Sequence, residues 1–152
     1  MRNLICLCIV IAVSAGSGCS GEPGLKGLVP VTGTVTYQGK PVEGASVSFS
    51  PNGAGRSASA MTGEDGTFVL TTVEGGDGAM SGSFGVEISK SEVINPMSPE
   101  EVQQYFHEHM GQMPHIEYRH LLPQKYGNAN TSGFTATVDA SLENDFTFDL
   151  AD

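Results

Sequence analysis

From Val31 onward the chain alternates apolar and polar side chains in short runs. Val31, Gly33, Val35 and Tyr37 fall on one side and Thr32, Thr34 and Thr36 on the other, the period-2 pattern of a strand with one dry face. Ala45, Val47 and Phe49 alternate with Ser46, Ser48 and Ser50, Phe68 and Leu70 with Thr67 and Thr71, and Phe84, Val86 and Ile88 with Ser83, Gly85, Glu87 and Ser89. Further on, Phe134, Ala136 and Val138 alternate with Thr135, Thr137 and Asp139, and Phe146, Phe148 and Leu150 with Asp145, Thr147 and Asp149. Arg56 to Met61 reads as a weaker, Ala/Ser-rich edge strand. Turn chemistry separates the runs at Gln38-Gly39-Lys40-Pro41, Pro51-Asn52-Gly53, Glu64-Asp65-Gly66 and Leu142-Glu143-Asn144. Seven such strands predict an all-β fold of two packed antiparallel sheets. The inward set is Val31, Val35, Tyr37, Val47, Phe49, Phe68, Leu70, Phe84, Val86, Ile88, Phe134, Val138, Phe146, Phe148 and Leu150. Burying a Val or Phe contributes about 1.5–3 kcal/mol before chain entropy is subtracted, so this core can hold the domain without disulfides.

The rhythm breaks over about 91–124. Ser98-Pro99-Glu100-Glu101 is a helix start, with Ser as N-cap, Pro at the first helical position and Glu completing a capping box. Val102, Tyr105, Phe106, His109, Met110 and Met113 follow at the spacing of one apolar helix face, with Gly111 expected to stop the helix before Met113. This short amphipathic helix is expected to pack on the sandwich or cap one end of it. The alternative is that its apolar face is kept for a partner. Val73 to Gly82, with four glycines, reads as a long loop. Its Glu74 and Asp77 are too few for a calcium site and are expected to serve a solvated turn.

Two segments carry a resemblance. G-T-V-T-Y-Q-G-K-P-V-E-G-A-S-V-S-F (Gly33 to Phe49), followed by T-G-E-D-G-T-F-V-L (Thr62 to Leu70), resembles the carboxypeptidase regulatory-like domain. Val86, Ile88 and Lys90 match that family's strand ending V-x-V-x-K. The later L-P-x-K-Y, T-S-G-x-T-A-T-V and F-T-F-D-L are similar to its form in small bacterial envelope lipoproteins. The resemblance implies a transthyretin-like, immunoglobulin-like β-sandwich over residues 31–152, with the helix as an insertion. Members are non-catalytic appendages, so the resemblance implies no activity.

Composition narrows the class. The chain has 152 residues, 20 glycines, no Trp and a formal net charge of −10, which suits a single small sandwich and argues against nucleic acid or anionic lipid as an electrostatic partner. Met1-Arg2-Asn3 followed by the apolar run Leu4 to Ala15 reads as an export signal, too short to span a bilayer. Cys6 and Cys8 lie inside that run, leaving Cys19 as the one cysteine of the mature chain. Gly16-Ser17-Gly18-Cys19-Ser20 resembles a lipobox, with Gly16 standing where a branched apolar residue is usual. Residues 1–18 are therefore read as signal peptide, Cys19 as the lipidated N-terminus, and 19–30 as a flexible tether to the membrane. Cleavage after Ala15, giving a soluble periplasmic or secreted protein, is the competing reading.

All four histidines, His107, His109, His115 and His120, fall in the insertion beside Met97, Met110 and Met113. Imidazole and thioether donors suit copper, which makes His107, His109, His115, Met110 and Met113 candidate ligands. On a helix, however, His107 and His109 point to nearly opposite sides, and His107-Glu108-His109 is not the two-turn zinc motif. His109 is expected instead as a hydrogen-bonded, partly buried side chain. The chain holds no G-x-S-x-G elbow, Walker loop, C-x-x-C pair or H-E-x-x-H spacing, so neither a catalytic residue nor a cofactor is expected. Two readings follow: a non-catalytic cell-envelope lipoprotein module contacting a protein or polysaccharide, or a periplasmic small-ligand or copper carrier using the His/Met-rich insertion.

Overall fold

The computed structural model describes residues 25–152. The signal-peptide and Cys19 lipidation expectations lie outside the described residues. The elements in chain order are β1 (Leu28–Val29), β2 (Thr32–Tyr37), β3 (Lys40–Pro41), β4 (Ser46–Pro51), β5 (Ala58–Met61), β6 (Thr67–Val69), β7 (Ala79–Met80), β8 (Gly82–Ser89) and β9 (Ser91–Val93). They continue with α1 (Pro99–Glu108), β10 (Tyr118–His120), a 3-10 turn (Gln124–Gly127), α2 (Ala129–Ser132), β11 (Thr135–Val138) and β12 (Asp145–Leu150). The fold is all-β with little helix. Leu28–Val29, assigned to the tether by composition, pair with Ala79–Met80, so ordered structure begins before Val31.

One sheet has the order β11-β8-β4-β5 and is antiparallel throughout. The other is built on β2. Thr32, Gly33 and Thr34 pair with β6, Thr36 and Tyr37 with β3, and the whole strand with β12. The expectation of purely antiparallel sheets fails here, because β12 runs parallel to β2 from Asp145↔Thr32 to Leu150↔Tyr37. Side-chain alternation sets which face a strand buries and is blind to its direction. The preceding turn decides the direction: the Asn144 carbonyl accepts the Thr32 N–H at 2.9 Å, which delivers the chain beside the start of β2.

The core lies between these sheets. Phe49 of β4 meets Phe146 and Phe148 of β12 and Phe68 of β6 at ring distances of 5.7, 6.1 and 6.4 Å, each edge-to-face. The expected inward residues are buried, except Tyr37, Phe134 and Phe146, which are partly buried and pack on the same cluster. Val42, Ala58, Ala79, Leu122 and Tyr126 join them from positions without an alternating run. Gly33 sits where a side chain would collide: a Cβ there would lie 2.5 Å from the Phe68 ring and against the Phe146 carbonyl. Its missing side chain makes room for both neighbours of β2.

Strand registers define two ends. The starts of β2, β8 and β12 and the ends of β4 and β11 lie at the end where Val29 enters β2. The end of β8 lies at the opposite end, about 26 Å away at the usual rise per residue. The insertion leaves from there.

Candidate functional site

The insertion forms an arm. Directly after β8, β9 pairs with β10 in an antiparallel ribbon, Tyr118↔Val93, Arg119↔Glu92 and His120↔Ser91, closed at its base by Leu121 N–H donating to the Lys90 carbonyl at 2.8 Å. Arg119 and Glu92, opposite each other in this register, form an ion pair. Between the two strands stands α1, which starts as its sequence requires. The Glu101 N–H donates to Ser98 Oγ at 3.3 Å, the Ser98 N–H donates to Glu101 Oε2 at 2.7 Å, and Pro99 opens the helix. These contacts hold the Glu101 carboxyl below its ordinary pKa, the Ser98 N–H being the largest cause.

The expectation that α1 packs on the sandwich is not met. Every residue of the helix is exposed or half-buried. A ten-residue helix has one apolar stripe, and here the stripe faces the arm's own loops and solvent, because a two-stranded ribbon carries it away from the sheets. Of the thirteen large apolar side chains exposed among the described residues, nine lie in the arm, Ile94, Phe106, Met110, Met113, Ile116 and Tyr118 among them. Most of the exposed large apolar surface of the described residues is thus carried by the arm.

The sequence-derived ligand candidates separate into two groups. His107 lies on α1, its ring edge-on to Phe106 at 6.4 Å. His109 caps the helix C-terminus, stacks on Tyr105 at 3.7 Å and places Nδ1 2.9 Å from the Tyr105 carbonyl. It is hydrogen-bonded as expected but exposed, because the face it occupies covers no core. Met110 is 99% exposed with a left-handed φ of 53°. His115 and Met113, by contrast, line one cleft of about 270 Å³ together with Met97. His120 lines a different cleft, at the ribbon base with Leu122 and Gln124. Among the described residues no group of three or more His, Cys, Asp or Glu is placed to hold a metal ion.

The chain matches no family model, no curated protein and no solved structure. Its site is therefore read from its own geometry.

At the entry end, Leu25 and Leu28 lie along the 73–77 loop. That loop turns on Asp77, whose carboxylate accepts the N–H groups of Thr72, Val73 and Glu74 at 2.6, 2.9 and 2.8 Å. These bonds, the Glu74 N–H first among them, depress the Asp77 pKa. Asp77 thus closes a turn, with its oxygens occupied by backbone donors. The arm carries Glu92, Glu100, Glu101, Glu108 and Glu117 against Arg119, so it is net acidic.

Proposed function

We propose that this protein is a non-catalytic module of the cell envelope, tethered by lipid on Cys19 and presenting the ribbon and helix arm to another envelope protein. In this reading the two sheets form the immunoglobulin-like, transthyretin-like sandwich of a carboxypeptidase regulatory-like domain, a scaffold that separates anchor from contact surface. The observation that carries the proposal is the polarity of the molecule. The chain enters at β1 at one end, and the arm departs after Ser89 at the other. A membrane attachment a few residues before Leu25 would hold the entry end near the bilayer and direct the arm outward.

Large exposed apolar side chains favour a protein partner over a polysaccharide, and the arm's excess of glutamate favours a partner surface that is apolar with basic groups. Two measurements test the parts separately. The intact mass of the mature protein, extracted in detergent from its own membranes, is expected to fit a chain starting at diacylated Cys19. A chain starting at Gly16 with a free thiol overturns the anchor. A photo-crosslinking residue placed at Phe106 is expected to capture a protein in intact cells far more efficiently than one placed at Asn52, near the entry end. Capture at Asn52 alone, or of polysaccharide only, overturns the assignment of the arm.

A further inference from the structure

We infer that the cleft beside α1 binds a cuprous ion through the thioether sulfurs of Met97 and Met113 and one imidazole nitrogen of His115. This rests on the arm's geometry and is independent of the envelope reading. Three soft or borderline donors, from positions 97, 113 and 115, line a single cleft of about 270 Å³ whose remaining walls include Val93, Val102 and Ile116. The donor set is selective. Neither a carboxylate nor a thiolate lines the cleft, and Asn95 offers one neutral amide oxygen, which leaves calcium and magnesium far short of their six or more oxygen ligands and zinc without its usual partners. Neutral thioether and imidazole donors suit soft Cu(I).

Backbone chemistry explains how Met113 and His115, only two residues apart, can border the same cleft. On a helix that spacing would send them to nearly opposite sides. The segment from Gln112 to Glu117 lies outside any helix. Pro114 fixes its own φ and keeps Met113 in the extended region, which lets residues two apart share a side. Pro96 fixes its own φ and keeps Asn95, not Met97, in the extended region. The methionine side chains are flexible enough to close on an ion, with Met97 and Met113 40% and 68% exposed and free of core packing. The glutamate-rich surroundings favour a cation. His107, His109 and Met110 do not line the cleft and have no part in the site.

The test uses the full chain with its cysteine thiols carboxamidomethylated, so that they do not compete for the ion. Cu(I) is titrated without oxygen against bathocuproine disulfonate, with the methionine methyl groups followed by NMR. One Cu(I) per chain is expected, with the Met97 and Met113 methyl resonances moving and those of Met61, Met80 and Met110 unmoved. Met113→Leu and His115→Asn should each weaken binding about tenfold or more, while His107→Asn leaves it unchanged. Because the arm can open without the sheets, unchanged helical circular dichroism beside an unchanged melting curve verifies that the variants keep the folded arm. Failure to compete with the chelator overturns the site, as does binding that survives the combined Met97→Leu, Met113→Leu and His115→Asn replacement.

Discussion

Thr62 is a polar residue inside the core boundary, 4% exposed. Its hydroxyl donates to the Val42 carbonyl at 2.5 Å and accepts the Ala45 N–H at 2.8 Å, tying the β3–β4 connection to the end of β5. Thr62→Val keeps the shape and removes both bonds, leaving a buried donor and acceptor unpaired. The expected loss is about 1–3 kcal/mol of unfolding free energy, read as a lower urea midpoint at unchanged slope. An unchanged midpoint would mean that water replaces the hydroxyl. Asn144 plays a similar part in the turn before β12, accepting the Asp139 N–H at 2.9 Å and donating to the carbonyls of Asp139 and Leu142 at 3.0 and 3.1 Å. The Leu142-Glu143-Asn144 turn was legible from residue types. That Asn144 is itself buried was not, because turn chemistry alone does not say which turn residue faces inward.

At the scale of elements, the sheets and the arm have different sources of stability. β2, β4 and β8 pair on both edges and bury one face, whereas β9 and β10 pair only with each other among the described residues and α1 buries no side chain fully. Isolated helices of this length are marginal in water, so the arm is expected to open on its own. In hydrogen exchange, amides of α1, β9 and β10 should exchange orders of magnitude faster than those of β4 and β8, at free energies well below global unfolding. Gln103→Pro should remove helical circular dichroism and leave the melting temperature of the sheets unchanged. Exchange of α1 as slow as that of β8 would show that the helix is coupled to the core.

Across the whole molecule, acid acts in two opposing ways. The formal net charge is −10, so lowering the pH from 7 toward 5 relieves self-repulsion. Against this stand carboxyls whose folded pKa is depressed: Asp65 by the Thr67 hydroxyl and N–H, Asp77 by the Glu74, Thr72 and Val73 N–H groups, Glu101 by Ser98, and Asp139 by the Ser141 hydroxyl and N–H. A depressed folded pKa contributes stability that is present above the unfolded value, about 4, and is lost as pH falls through the folded value. The melting temperature should therefore hold or rise slightly from pH 7 to 5 and fall steeply below about 4. Asp77→Asn should melt lower at pH 7 and show a shallower acid fall. A melting temperature independent of pH down to 2 would show that these bonds do not persist in solution.

Local sequence by itself determined the all-β class, the inward faces of the longer strands and the capped start of α1, because each depends on local geometry: a two-residue repeat, a turn residue, a hydrogen bond three positions along. Met97, Met113 and His115 were visible as residue types, and only the folded arm put them in one cleft while leaving His107, His109 and Met110 outside it. Tertiary structure likewise decided the parallel direction of β12, the burial of Leu122 and Tyr126, and the separation of α1 from the core. An amphipathic pattern records that a helix has an apolar face and carries no record of what faces it. That is set by where the preceding strand releases the chain, and here β8 releases it beyond the end of the sheets.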